Sequence, residues 1–229
     1  MKRKFTFFIT GAIIFSFFIF FSYLVHKDLF TAIDFDTTVR LQDKIPRRFD
    51  EFFSYFSLFG AFEYATVFLF IFLAIRGKLM GFFVLFIYGA LHVIELYGKT
   101  FVNHPPPPDF MLRTEKIENF PQFYVRSEFS YPSGHAGRAA FITVLLLVFV
   151  VFSKKFSWIQ KIIFFLILTI YDITMFVSRI YLGEHWLSDV IGGLLLGTSF
   201  GISAAIVGDI SILNKLRNLF KLPKNYEKV

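Results

Sequence analysis

The 229-residue chain contains no cysteine. This absence excludes disulfide bonds, thiolate zinc sites, iron–sulfur clusters and cysteine nucleophiles. Charged residues are also scarce: they make up 18% of the chain, against about a quarter in soluble domains, whereas hydrophobic residues make up 55%. The composition disfavours a soluble enzyme, a disordered chain and a coiled coil, and it is typical of a membrane protein.

Long apolar stretches predict membrane-spanning helices, because about 20 residues at about 1.5 Å each cover about 30 Å of hydrocarbon. The predicted spans are Phe5–Val25, Tyr55–Ile75, Leu79–Gly98, Ala139–Phe152 with its flanks, Trp158–Val177 and Leu187–Val207. We therefore expect an all-α fold, a six-transmembrane-helix bundle that forms one integral membrane domain. Within it, residues 1–54 supply an uncleaved anchor span and an interfacial segment, 55–209 a five-span catalytic core, and 210–229 a basic cytoplasmic tail.

The net charge of +7 comes from lysines and arginines that gather at both termini and in the short connections between alternate spans. By the positive-inside rule this distribution places both termini in the cytoplasm. The basic excess is then a topology signal, with a role toward anionic lipid, and does not indicate nucleic-acid binding.

Two longer segments fall on the outer side. His26–Ser54 has amphipathic stretches broken at Pro46, which predict short helices lying in the membrane interface. Lys99–Pro132 contains four consecutive prolines, at positions 105–108, which should form an extended segment. A loop of this length is more typical of a functional lid than of an idle connection.

The polar residues that can carry chemistry stand at the outer ends of four predicted helices. They are Lys99, the turn Pro132-Ser133-Gly134-His135, the pair Ser178-Arg179, and His185 with Asp189. A small-residue turn at a helix N-terminus favours an anion such as phosphate. Asp189 lies one helical turn after His185, so it can accept the Nδ1 proton while the other ring nitrogen attacks.

The last predicted span carries glycines at four-residue spacing, Gly193, Gly197 and Gly201. Such a stripe lets a neighbouring helix approach closely, and we interpret it as a packing surface without a catalytic role.

These motifs resemble those of the type 2 phosphatidic acid phosphatase superfamily, whose membrane members are lipid phosphatases and whose site is shared with vanadium-dependent haloperoxidases. The family motifs are KxxxxxxRP, PSGH and SRxxxxxHxxxD. The second is Pro132–His135 without change, and the third fills every fixed position from Ser178 to Asp189. The first departs: counting from Lys99, Pro106 stands where the family has arginine.

The resemblance implies a role for each matched residue. His185 would attack phosphorus, Asp189 would orient it, and His135 would protonate the leaving oxygen. Phosphoryl oxygens would be held by Lys99, Ser133, Gly134 and Arg179. No metal and no cofactor is implied, since a cluster of cations can neutralise the transferred group.

Arg138, three residues after His135, is our candidate for the positive charge missing at Pro106. The alternative is that Arg138 only snorkels to the membrane surface. If the candidate is right, removing the Arg138 side chain will lower activity.

Ionisable side chains inside predicted spans suggest further roles, because burying them in a membrane is costly. Glu95 lies one turn before Lys99, and Asp172 is in phase with Arg179, so we interpret both as groups that aim those cations. A polar contact between helices without catalytic effect is an equal alternative. Glu63 has no predicted partner. His104, beside the prolines, is expected to be a solvated loop histidine, and contact with the substrate is the alternative.

The function expected from the sequence is a membrane lipid phosphatase working on the extracytoplasmic face. The favoured substrate is an isoprenoid pyrophosphate such as undecaprenyl pyrophosphate, followed by phosphatidylglycerol phosphate and phosphatidic acid. Its partners are the lipid substrate and the bilayer, and the sequence leaves the oligomeric state open. Three alternatives remain: a haloperoxidase, a transporter of anionic lipids, and a catalytically impaired scaffold of the same fold.

Overall fold

The computed structural model describes residues 2–76, 81–114 and 129–207, and every regular element in these ranges is helical. The α-helices are α1 (Lys2–His26), α2 (Thr31–Lys44), α3 (Asp50–Ser57), α4 (Phe62–Arg76), α5 (Gly81–Phe101), α6 (Gly134–Phe152), α7 (Trp158–Tyr181) and α8 (Leu187–Val207). Single 3-10 turns occupy Arg47–Phe49, Leu58–Gly60 and Asp109–Met111. The predicted all-α class is confirmed, whereas the predicted tail at 210–229 lies outside the described residues.

Four of the described helices are long and apolar enough to cross a membrane: α1 from Phe5 onward, α6, α7 and α8. A fifth span is obtained if the bent pair Arg47–Gly60 and Phe62–Ile75 crosses as one unit. Helix α5 coincides with the third predicted span but carries Glu95 and Lys99 toward its C-terminal end. Within the described residues the structure thus supports four or five spans on length and composition.

The second predicted span, Tyr55–Ile75, is broken and is not one continuous helix. Helix α3 ends at Ser57, α4 begins at Phe62, and the two segments are bent by 48°. At the break, the Gly60 carbonyl accepts a buried hydrogen bond from Arg138 Nε at 2.8 Å. A side chain from another helix therefore takes the place of the backbone donor that a continuous helix would supply.

Helix α8 lies at the centre of the bundle and packs against α1, α5 and, most extensively, α6. The glycine stripe faces α6. A Cβ at Gly197 would overlap the Gly137 carbonyl oxygen and lie 2.9 Å from Ala140 Cβ, and one at Gly201 would lie 2.9 Å from the Phe141 carbonyl oxygen. The interpretation of the stripe as a packing surface is confirmed.

The two short helices predicted between the first spans are present as α2 and α3, separated around Pro46. Helix α2 buries polar residues, Asp34 and Thr38, against the rest of the protein. Its apolar Ile33 and Phe35 are about half exposed, at 55% and 48%. Those two side chains are free of protein cover, as an interfacial helix requires.

We expect Gly197→Ala to destabilise the fold by about 1–3 kcal/mol, because the added methyl group overpacks the contact between α6 and α8. The measurement is the thermal unfolding midpoint of the purified protein in detergent. The matched control is Gly89→Ala in α5, where a Cβ meets no atom within 4 Å. The control should be neutral or slightly stabilising, because alanine favours a helix over glycine. Equal midpoints for both variants would contradict the packing argument.

Candidate active site

The Pro132–His135 turn forms the start of α6. Ser133 is the N-cap, and its Oγ accepts a hydrogen bond from the Ala136 amide at 3.5 Å. The Ser133 amide donates to the Asp189 carbonyl at 2.9 Å, which joins this turn to the first turn of α8. The first residues of two helices therefore meet at one end of the bundle, as the alternation of spans predicts.

Glycine is required at position 134 by close approach. A Cβ there would overlap the Glu95 carboxylate and lie 2.7 Å from Arg138 Nη1. The Glu95 carboxylate and the Arg138 guanidinium therefore pack directly against the first turn of α6, where the helix N-terminus favours negative charge.

His185 and Asp189 form the predicted pair. His185 Nδ1 lies 3.3 Å from Asp189 Oδ2, and the same oxygen accepts the Trp186 amide at 3.0 Å. This second bond is half of a capping box, in which the third residue of a helix binds the amide at its N-cap. The carboxylate is fixed by the backbone and can hold the imidazole with Nε2 directed away from it.

Burial, followed by the charges of Lys99, Arg179 and Arg138, holds the pKa of His185 well below its usual range. The imidazole is therefore neutral at pH 7, and its Nε2 lone pair is available as a nucleophile.

Three cations surround this histidine. Arg179 is 2% exposed, forms an ion pair with Glu184, and its Nε has no hydrogen-bond partner among the described residues. Arg138 Nη1 donates to Glu95 at 3.1 Å. The charge of Lys99 interacts with those of Glu95, Asp189, Arg138 and Arg179. An unsatisfied buried donor in a cationic cluster indicates a site for an anion beside the His185 ring.

His135, the second residue of α6, shares these surroundings. It interacts electrostatically with Arg179, Arg138, His185 and Lys99. A Cβ at Gly60 would lie 3.1 Å from His135 Cδ2, so the break between α3 and α4 forms one wall beside this histidine. The two histidines thus face the same cluster of cations from the starts of different helices.

Residues 79–209, more than half of the chain, match the family described as the PAP2 superfamily. The chain belongs to the PAP2 superfamily. Its sequence is similar to phosphatidylglycerophosphatase B of Bacillus subtilis (strain 168), with 37% identity over 71 residues, which cover 31% of this chain and 35% of that protein. It is also similar to an undecaprenyl-diphosphatase of Sulfolobus acidocaldarius, with 33% identity over 95 residues, which cover 42% and 41% of the two chains. The matches span less than half the length of these curated relatives.

Two solved structures share the fold. One is a transmembrane PAP2-type phosphatidylglycerolphosphate phosphatase from Bacillus subtilis, with a TM-score of 0.71, 20% identity, and coverage of 94% of this chain and 98% of that one. The other is LpxE of Aquifex aeolicus, with a TM-score of 0.56, 24% identity, and coverage of 75% and 94%. The PAP2 fold therefore extends over nearly the whole chain, beyond the matched motifs.

The contacts of two acidic residues differ from those predicted for this PAP2 site. Glu95, expected to aim Lys99, interacts with the Lys99 charge but accepts its hydrogen bond from Arg138. Asp172, expected to aim Arg179, accepts a hydrogen bond from Thr143 Oγ1 at 3.0 Å, while Arg179 pairs with Glu184. Asp172 thus links α6 to α7, in line with the alternative of a polar contact between helices.

Glu63 lies in the first turn of α4, where the helix dipole favours an acidic side chain.

The prediction of a solvated His104 is wrong, because the ring is 4% exposed and lies against Asp34, Ser188 and Asp189. The burial of His104 could not be predicted from its neighbours in sequence, because Asp34 lies on the short helix α2, 70 residues earlier. The pairing of Glu184 with Arg179 was not predicted, because the position of Glu184 between the PAP2 motif residues gives no sign of it.

The extended conformation predicted for the four prolines is confirmed, since residues 103–108 contain no helix and Pro108 has φ −66° and ψ 151°. The Pro105 carbonyl accepts a hydrogen bond from Trp186 Nε1 at 2.8 Å. Pro106, at the position of the missing arginine, is exposed. This segment therefore lies over the start of α8 and contributes backbone contacts there.

We expect inorganic phosphate to raise the thermal unfolding midpoint, because it binds the folded cation cluster. At 100 times its dissociation constant the gain is about 2.7 kcal/mol. Arg179→Gln should abolish the shift. Arg40→Gln, which removes an exposed arginine paired with Asp36, should keep it. Chloride at equal ionic strength corrects for screening, and a shift of the same size in Arg179→Gln would show that phosphate binds elsewhere.

Proposed function

We propose that this PAP2 protein is a membrane lipid phosphatase that hydrolyses a lipid phosphomonoester or pyrophosphate through a phosphohistidine, without a metal. The observation that carries the proposal is the buried His185 ring, held at Nδ1 by Asp189 and exposed to the charges of Lys99, Arg138 and Arg179. Phosphoryl transfer requires positioning and neutralisation of charge, and this arrangement supplies both.

The reaction proceeds in two displacements. His185 Nε2 forms a bond to phosphorus, the bond from phosphorus to the leaving oxygen breaks, and His135, as an imidazolium that the bound phosphate dianion favours, gives that oxygen its proton. Water then attacks phosphorus, the bond from phosphorus to His185 Nε2 breaks, His135 accepts the proton of that water, and inorganic phosphate leaves. The second displacement restores His185 for the next substrate.

The phosphoryl oxygens are bound by the first turn of α6 and by the cations. Ser133 and the Gly134 amide present the helix N-terminus, while Lys99, Arg138 and Arg179 neutralise charge. Arg138 replaces the arginine that is absent at Pro106, and its bonds to Gly60 and Glu95 fix its position. An arginine with two protein partners at one end of a helix is positioned more firmly than one that snorkels.

The names of the two curated relatives support a lipid substrate with a phosphate or pyrophosphate head. We place undecaprenyl pyrophosphate first, followed by phosphatidylglycerol phosphate and phosphatidic acid. A groove of about 600 Å³ along α3 supports a substrate with apolar tails, since aromatic side chains such as Phe52, Phe56 and Phe59 line it together with Arg48 and Glu51. Leu58 and Phe59 of this lining directly precede Gly60, where a Cβ would lie 3.1 Å from His135 Cδ2.

We further propose six spans with both termini in the cytoplasm. Helix α5 and helix α4, which a bend joins to the interfacial helix α3, cross along with the four longer helices. The positive-inside distribution of Lys and Arg supports this orientation. The site, formed at the end of α5, the start of α6, the end of α7 and the start of α8, then lies on the extracytoplasmic face. A substrate can reach it there while its tails remain in the bilayer.

His185→Ala should lower phosphate release by at least about 1,000-fold, because it removes the nucleophile. The measurement is phosphate release by the detergent-solubilised protein with EDTA present, across isoprenoid and glycerol lipid phosphates. The control is His26→Ala, an exposed histidine at the end of α1, which should retain full activity. No release from any lipid by folded wild-type protein would contradict the proposal and favour the impaired scaffold or the anionic-lipid transporter.

Arg138→Ala should lower kcat/KM by about tenfold or more, and Arg138→Lys should recover part of the loss, because lysine restores the charge without the paired donors. Both variants are compared with Arg40→Gln and checked for unchanged unfolding midpoints. A folded Arg138→Ala protein with full activity would exclude Arg138 as the replacement cation.

A further inference from the structure

The second oxygen of the Asp189 carboxylate is left without a hydrogen bond within the described residues. Oδ2 binds His185 Nδ1 and the Trp186 amide, whereas Oδ1 is buried and makes no hydrogen bond in the part of the chain that the structure describes, although the Ser130 hydroxyl interacts with the carboxylate. The nearby ring nitrogen is His104 Nε2, at 3.5 Å. The two oxygens of one carboxylate therefore face two different histidines, the nucleophile and a loop residue.

His104 is held in place by Ser188 and Asp34. Its Nε2 lies 3.0 Å from Ser188 Oγ and 3.6 Å from Asp34 Oδ2. Ser188 Oγ donates its one hydroxyl proton to Asp34 Oδ2 at 2.7 Å. In its contact with His104, the serine oxygen can therefore only accept a hydrogen bond, and His104 Nε2 must be the donor. This requirement indicates the tautomer of His104 with its proton on Nε2, the side that faces Asp189.

Asp34 reaches the site from α2, an element outside the recognised motifs. Its Oδ1 accepts the Ser188 amide at 2.8 Å. The N-cap of α8 is Trp186, whose side chain offers no acceptor oxygen, so Asp34 supplies from another helix the acceptor that an N-cap residue usually provides. Asp34 thus fixes both the start of α8 and the serine that orients His104.

All members of this chain of contacts are excluded from solvent. Asp34, His104, Ser188 and Asp189 are each 4% exposed or less. Burial lowers the pKa of the His104 imidazole, although the charge of Asp34 opposes that shift. A neutral imidazole that donates from Nε2 is consistent with both observations, and buried polar groups that are nearly all satisfied tend to hold one geometry.

We infer that Asp34 and His104 are positioning residues for the reaction: Asp34 holds Ser188, Ser188 holds His104, and the His104 Nε2–H, 3.5 Å from Asp189 Oδ1, favours the orientation of the Asp189 carboxylate that aims His185. The inference rests on the proposed function, in which His185 is the nucleophile. It adds to that function an outer part of the site built from α2 and from the segment preceding the prolines.

The deciding comparison is His104→Leu against His104→Gln, since the glutamine amide can place an N–H where Nε2 lies and leucine cannot. We expect His104→Leu to lower kcat by about tenfold or more, with KM within about twofold of wild type. His104→Gln should recover most of the loss. The control is His26→Gln. His26, at the end of α1, also contacts the loop, since its Nδ1 accepts a hydrogen bond from the amide of Asn103 at 3.1 Å, but within the described residues it makes no hydrogen bond to Asp34, Ser188 or Asp189.

Asp34→Asn tests the same chain of contacts from its other end and serves if His104→Leu fails to fold. It should lower kcat by a smaller factor, because asparagine still accepts the Ser188 amide but no longer carries the charge. A folded His104→Leu protein with wild-type kcat would overturn the inference. So would equal losses in His104→Leu and His104→Gln that follow their unfolding midpoints, because such losses indicate only a structural role.

A readout independent of turnover separates this inference from the proposed function. The imidazole Nδ1–H resonance of His185, observed by NMR in ¹⁵N-histidine-labelled protein, should move in His104→Leu and return in His104→Gln. If wild-type protein releases no phosphate but this shift occurs, the proposed function fails and the positioning contacts stand. An unmoved resonance overturns the positioning contacts whether or not the protein is active.

Discussion

Helices α6 and α8 approach each other so closely that a side chain at Gly197 would overlap a backbone atom of α6, and one at Gly193 would overlap the carbonyl oxygen of its N-cap, Ser133. At the end of this contact, the Ser133 amide binds the Asp189 carbonyl at 2.9 Å. That bond fixes how far the first turn of one helix lies from the first turn of the other. Because the helices are rigid, the same contact sets the distance and the relative orientation of His135 and His185.

The site also contains several positively charged side chains that lie close together and are largely buried. Arg179 is almost fully enclosed, and Arg138 is buried as well. Burying such groups is costly unless each has a partner, and the acidic residues supply partners: Glu95 for Arg138 and Glu184 for Arg179. The partners come from α5 and from the turn before α8, so the ion pairs that make the cluster tolerable also join the elements that form it.

The sequence predicts those features that depend on near neighbours. The helical class follows from apolar runs, the bounds Leu187–Val207 agree with α8, and the pairing of His185 with Asp189 follows from a spacing of four. The break at Gly60 could not be predicted, because the hydrogen bond that occupies its carbonyl comes from Arg138, 78 positions away.

The burial of His104 was missed for the same reason, since its contacts with Asp34 and Ser188 are 70 and 84 positions away. In both cases a polar contact between segments distant in sequence determines what the local pattern could not predict, the break at Gly60 and the burial of His104.

The altered first motif affects two elements, the proline segment at 105–108 and helix α6. The proline segment presents a backbone carbonyl to Trp186, while position 106 points to solvent. An arginine at 106 would stand on an extended segment, whereas Arg138 stands on α6 with its guanidinium bound to Gly60 and Glu95. A charge attached to a helix and held at two points loses less freedom when it binds a phosphoryl group. In the proposed mechanism, the proline segment is thus left to cover the start of α8, and α6 supplies both a proton donor and a cation to the phosphate.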